Sequence, residues 1–332
     1  MVLQLIIAFL VSLVVTVVAG LVLIPVLRRM KAGQTIREDG PVWHKNKEGT
    51  PTMGGLMFIT GVTISCLIAA IGFLRDGFYS NLSALLFALL LALVFAAIGF
   101  LDDYAKLKKK QNLGLKAKQK FILQLVMSAG FLLLMWVTGN LTTDMYIPFV
   151  NVYVSVPAPV YFVFAAFVAV ATVNAVNITD GIDGLATGVS IPVAVFFVYV
   201  SFLWGIETVG VFAAALVGGL FAFLIFNFHP ARVFMGDTGS LFLGGMIFAM
   251  ALSMDMPLIL IPLGIVYFIE TLSDIIQVTY FKLTHGKRVF KMAPIHHHFE
   301  MSGWNEYKLF VVFTSVSIVF AGISYFGVML RV

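Results

Sequence analysis

SALLFALLLALVFAAIGFLDDYAKLKKK, residues 83–110, reads as an apolar run that stops abruptly on charge. Residues 82–101 hold no ionisable side chain; Asp102 and Asp103 then arrive together, and Lys106, Lys108, Lys109 and Lys110 follow. About 20 apolar residues in a helix cross the hydrocarbon core of a bilayer. The stretch predicts a membrane-spanning helix with a carboxylate pair and a patch of cations at one interface. The whole chain agrees: 61% of its 332 residues are hydrophobic and 11% charged, with a mean hydropathy of +1.02. A soluble domain is about 25% charged. That excludes a soluble globular protein and predicts an all-α polytopic integral membrane protein. The single cysteine, Cys66, excludes an internal disulfide and a cysteine metal cage.

Charge-free runs predict further spans near 3–27, 53–74, 121–138, 158–176, 188–204, 209–228, 238–254 and 308–330. One more, 257–281, is interrupted by Glu270 and Asp274, which makes ten transmembrane helices. The first lacks a basic flank and is too long for a signal peptide, so it reads as a retained helix. The loops 28–52, 102–120, 229–237 and 282–308 hold 6, 7, 1 and 5 basic residues, or 19 of 21. Cytoplasmic loops carry the excess of Lys and Arg. This sets both termini extracytoplasmic and predicts one transmembrane domain, 1–332, with cytoplasmic loops near 28–52, 102–120, 177–187, 229–237 and 282–307. No nucleic-acid partner is expected. Asp102, Asp103, Asp180, Asp183 and Asp237 all fall on the cytoplasmic side, with all six histidines, which predicts one polar cleft on that face.

Each polar cluster also has a plain structural reading. Asp102 and Asp103 oppose the dipole at their helix's C-terminal end and repel each other; the lysines behind them either solvate that boundary or share a site with phosphates and a divalent cation. In NAVNITDGIDGLATG (174–188), Asn174, Asn177, Asp180 and Asp183 recur every three residues, while Gly181 and Gly184 favour a tight turn. In FNFHPARVFMGDTGS (226–240), Asp237 suits an N-cap, or a place where phosphate and Mg²⁺ meet a helix N-terminus. Glu270, Asp274 and Gln277 form one polar stripe that lines a cavity or pairs with Lys282. In APIHHHFE (293–300), three adjacent histidines cannot readily chelate one ion, and an internal run of three is not a purification tag. Alternation along the loop would aim His296 and His298 one way and His297 another. The residues alone leave two classes open: Mg²⁺-dependent phospho-transfer at a membrane, or an ion-coupled transporter. No internal repeat of the transporter kind is visible.

TPTMGG (50–55), FLDDYAK (100–106), NAVNITDGIDGL (174–185), FMGDTGS (234–240) and APIHHHFE with MSGW (293–304) together resemble the bacterial phospho-N-acetylmuramoyl-pentapeptide transferase family. That family lies within the polyprenyl-phosphate N-acetylhexosamine-1-phosphate transferases. The histidine run marks the muramoyl branch; a sister transferase using another sugar donor is the alternative. Asn305 stands where proline is expected after Gly-Trp.

The resemblance implies transfer of phospho-MurNAc-pentapeptide from UDP-MurNAc-pentapeptide to undecaprenyl phosphate, giving lipid I and UMP. It also implies Mg²⁺, a homodimer, and the bacterial cytoplasmic membrane. Asp237 is the expected Mg²⁺ ligand, and Asp102 and Asp103 are expected to position or deprotonate the lipid phosphate. Asn177, Asp180 and Phe234 would hold the uridine, flanked by Asn227 and Asp183. Lys47, Lys106 and Lys118 are phosphate-binding candidates. His296, a catalytic candidate, would wall the site with His297 and His298.

Overall fold

The computed structural model describes residues 1–30, 47, 49–109 and 114–329, the side chain of Lys109 excepted. Most of the basic loop 28–52 (with His44), Lys110 and the end of the predicted span 308–330 lie outside the described residues.

The apolar runs form helices, as a chain in lipid must to satisfy its own backbone. They are α1 (Val2–Arg29), α2 (Gly55–Arg75), α3 (Tyr79–Lys109), α4 (Ala117–Val137), α5 (Ala158–Thr179), α6 (Leu185–Trp204), α7 (Glu207–Asn227), α8 (Gly236–Ser253) and α12 (Glu306–Met329). The β-rich loop 139–157 forms an antiparallel hairpin, β1 (Asp144–Ile147) with β2 (Val152–Ser155), in the register Asp144 opposite Ser155. Pro25 and Pro192 sit inside α1 and α6.

Among the described residues, eight helices, α1 to α7 and α12, are long and apolar enough to cross a membrane. The predicted span 257–281 is not one straight helix. A 3₁₀ turn (Pro257–Ile259) and α9 (Leu260–Leu263) meet α10 (Ile265–Leu283) at an angle of 81°. The break falls at Gly264, two residues after Pro262, and glycine is one of the residues at which helices bend sharply. The pair together is apolar enough for a ninth crossing. Helix α8 opens with the polar turn Gly-Asp-Thr-Gly-Ser, and only 18 residues follow one another in helix.

Helix α8 is nevertheless the centre of the bundle, packed on α3, α5 and α2, and every residue from Thr238 to Leu252 is buried. Lipid tails are as apolar as leucine, so helices in a bilayer associate through close packing of small residues. A Cβ on Gly99 of α3 would lie 2.2 Å from the Asp237 carbonyl oxygen, and one on Gly55 of α2 would lie 2.1 Å from the Gly239 Cα. Two glycines thus let α2 and α3 close on the first turn of α8, which brings Asp102 and Asp103 within reach of Asp237.

Gly99→Ala should force α3 from α8 and cost about 1–3 kcal/mol, as overpacking does. Gly130→Ala, on an open face of α4, should leave thermal unfolding in detergent unchanged or raised. Equal unfolding temperatures for the two variants would contradict this packing.

Candidate active site

Two charge clusters meet where α3, α4, α5, α6, α8 and α12 end or begin on one side of the bundle. The first holds Asp102, Asp103 and Asp237, each with a carboxylate oxygen within 4.8 Å of the others. Lys106, one turn beyond Asp102, places Nζ 2.6 Å from Asp102 Oδ2, 2.8 Å from Asp237 Oδ2 and 3.7 Å from Asp103 Oδ1. Lys120 of α4 approaches Asp237 Oδ2 at 3.1 Å and donates to Asn177 Oδ1 at 3.1 Å. Asn177 in turn donates through Nδ2 to Asp237 Oδ1 (2.7 Å) and Ser240 Oγ (2.8 Å). Three acids, two lysines and an amide thus share one network.

The two neighbouring aspartates do different things. Asp103 accepts from the backbone N–H groups of Asp237 (3.2 Å) and Thr238 (2.8 Å) and from Thr238 Oγ1 (2.7 Å). It caps the amino end of α8 from another helix, 134 residues away in sequence; the local cap expected of Asp237 does not form. Asp102 accepts the Leu115 N–H at 2.7 Å and so ties down the start of α4, while its other oxygen faces Lys106.

The second cluster is a knot around Asp183. Lys47 Nζ lies 2.7 Å from both Asp183 Oδ1 and Glu306 Oε2. His229 Nδ1 and the Ala231 N–H approach Asp183 Oδ2 at 2.9 and 3.0 Å, and the Asp183 N–H donates to Glu306 Oε2 at 3.1 Å. Asp183 therefore joins the α5–α6 turn, the loop after α7 and the first turn of α12. Asn227 is buried, accepting from Thr187 Oγ1 and donating to the Val233 carbonyl, so it shapes the loop leading to Phe234. The Phe234 ring is half-buried, and its backbone pairs with Pro51 and Gly54.

Asp180 lies between the clusters. Burial, and then the negative charges of Asp237, Asp103 and Asp183, push its carboxyl up to about 8. At neutral pH it is largely protonated, able to donate as well as accept a hydrogen bond.

The histidines lie on α11 (Ile295–Glu300), a short helix, so they fan out rather than alternate. His296 is buried with Nδ1 2.9 Å from Glu270 Oε2; His297 Nδ1 lies 2.8 Å from Glu300 Oε2; His298 Nδ1 accepts the Lys291 N–H at 3.1 Å. They share no ion.

Lys118 is exposed on the rim of a groove of about 560 Å³, lined also by Ala117, Lys120, Phe121, Ile122 and Asn174. Lys120, two residues on, is the lysine that enters the network, and the sequence reading passed over it. Its signal was a four-residue spacing: Lys120, Gln124 and Ser128 form an inward polar stripe on an otherwise apolar helix. Glu306 and His229 were also missed; nothing local marks either as a partner of Asp183.

These features define a membrane-embedded transferase class: residues 85–255 match the family model Glycosyl transferase family 4. Residues 47–59 match signature 1 of phospho-N-acetylmuramoyl-pentapeptide-transferase. The phospho-N-acetylmuramoyl-pentapeptide-transferase of Clostridium acetobutylicum is 47% identical over 95% of this chain and 96% of its own. That of Staphylococcus carnosus is 47% identical over 95% of each chain, and that of Staphylococcus aureus 46% over 93% and 95%. The chain belongs to the phospho-N-acetylmuramoyl-pentapeptide-transferase family.

Because the folded state holds a proton on Asp180 up to pH about 8 and an unfolded Asp releases it near pH 4, stability should fall as pH rises between those values. Asp180→Asn removes this slope. Its unfolding temperature should exceed wild type at pH 8, with the gap closing towards pH 4. A gap independent of pH would refute the raised carboxyl.

Proposed function

We propose that this chain transfers phospho-MurNAc-pentapeptide from UDP-MurNAc-pentapeptide to undecaprenyl phosphate, releasing UMP and leaving lipid I in the bacterial cytoplasmic membrane. The observation that carries this reading is the meeting of Asp102, Asp237, Lys106, Lys120 and Asn177 beside an apolar groove. A water-soluble diphosphate and a membrane-held phosphate both need that junction. The family resemblance adds a homodimer, and α8 is read as the tenth crossing, which leaves both termini outside and the cleft facing the cytoplasm.

In the reaction an oxygen of the lipid phosphate attacks the sugar-bearing phosphorus of the donor. A new P–O bond forms, the P–O bond to the uridine-bearing phosphate breaks, and UMP leaves with its electron pair. A phosphate monoester has its second pKa near 6, so the acceptor is mostly a dianion at neutral pH and needs little help from a base. Asp102 then serves by orienting the acceptor with Lys106. Lys106 and Lys120 offset the charge gathered on the diphosphate, and Asp103 holds the α8 terminus in place.

The donor set suits Mg²⁺, which takes hard oxygens and usually one or two carboxylates. Asp237 would hold it, with Asp102 beside it: the Asp237 oxygens are met by the side chains of Lys106, Lys120 and Asn177, which can turn to substrate phosphates, whereas both Asp103 oxygens are held by backbone N–H groups of α8. When bound, the ion supplies positive charge to the diphosphate. A neutral Asp180 carboxyl matches the mixed donors and acceptors of uracil, and the half-buried Phe234 ring offers a stacking face. The prenyl chain lies along Phe121 and Ile122 in the groove.

UMP release by purified protein should require both substrates and stop with EDTA. Asp237→Asn should abolish it while the protein still inserts; near-normal lipid I synthesis by that variant would sink the metal assignment. Lys120→Ala should lower turnover about a hundredfold, as loss of an electrostatic donor does, and Lys118→Ala far less. The reverse order would place the phosphates outside this network.

A further inference from the structure

The mechanism above leaves the buried pair on α10 and α11 without a task. Glu270 is fully buried and His296 is 1% exposed. The backbone N–H of His296 lies 3.5 Å from the same Glu270 oxygen that faces Nδ1. Gln277, two turns along α10, accepts the N–H groups of Val289 and Phe290 and donates to the Phe290 carbonyl. Glu270 and Gln277 thus clamp the loop before α12 at two points.

The opposite edge of the His296 ring meets Gly181. A Cβ on Gly181 would lie 2.3 Å from Nε2 and 2.5 Å from Cε1. Gly181 is not among the residues of positive φ, so its backbone does not demand glycine; the ring does. Nε2 is buried with no hydrogen-bond partner among the described residues. With the Nδ1 proton given to the carboxylate, Nε2 is a bare acceptor and needs no partner for an N–H. Gly181 lies between Asp180 and the Asp183 knot.

We propose that Glu270 is a positioning residue for donor binding. By orienting His296 it fixes the Asp180–Asp183 turn against α11, and with it the place of Asp180 at the uridine. This rests on reading the cleft as a UDP-donor site. Interiors are close-packed and transmit displacement. Loss of the carboxylate strands a buried Nδ1–H and removes the stop against which Gly181 rests.

The test uses full-length protein in detergent, with UDP-MurNAc-pentapeptide and undecaprenyl phosphate. Glu270→Ala should raise the donor KM about tenfold while the lipid KM stays within about twofold. Glu270→Gln keeps an oxygen to accept the Nδ1–H and should recover most of the donor KM. Gly181→Ala drives a methyl into the ring and should mimic Glu270→Ala. Combined with His296→Ala, which vacates that space, it should be no worse than the worse single change. Equal rises in both KM values overturn the proposal. So does a Gln variant as impaired as Ala, or effects of Gly181→Ala and His296→Ala that multiply. If Glu270→Ala does not fold, the Gln variant and the Gly181/His296 pair carry the test. A wild type that releases no UMP from this donor overturns the reading of the cleft and the proposal with it. A working wild type whose variants keep its donor KM overturns only the role of Glu270.

Discussion

A carboxylate on one helix closes the amino end of another: Asp103 of α3 takes the second and third N–H groups of α8, those of Asp237 and Thr238. A helix terminus buried in a bundle leaves orphan donors that cost free energy unless accepted. Here the acceptor carries a full charge, which complements the positive end of the dipole. The contact fixes where α8 begins, and therefore where Asp237 stands. Gly99 makes it possible, since no larger residue fits between α3 and the Asp237 carbonyl. The α8 core, buried along its length, carries that placement through the bundle.

The charges above this contact are arranged as counterions. Lys106 touches all three aspartates, and Lys120 adds a second cation at Asp237. Unpaired carboxylates at this depth would be expensive. Under the function proposed above, the same lysines would meet the charge of the substrate phosphates. The Asp183 knot is a separate solution to the same problem. There Lys47 answers two acids at once, and the result is mechanical, since four segments distant in sequence are tied at one point.

Much of this is legible in the chain and some of it is not. Long charge-free runs announce α1 to α7 and α12 because the bilayer imposes a length that few other environments do. The aspartates stand out because acids bordering apolar runs are costly to keep. The division of labour between Asp102 and Asp103 is invisible in sequence, since the cap joins residues 134 apart. Lys118 and Lys120 look alike as letters; only their facing on α4 separates them. The run 257–281 is legible as apolar and interrupted by Glu270 and Asp274, but not the 81° turn that the chain makes at Gly264. The polar stripe of α10 is visible, but its partners, His296 and the Val289–Phe290 backbone, follow from how the next loop folds back.

Helix α3 has 31 residues, or about 46 Å at 1.5 Å per residue, against about 30 Å of hydrocarbon. In a bilayer that α3 enters at Tyr79, this surplus would set the aspartates and Lys106 at the height of the lipid headgroups. A phosphate fixed to a prenyl chain occupies that same level. The acceptor can therefore stay anchored in its leaflet throughout, and only the soluble donor has to travel.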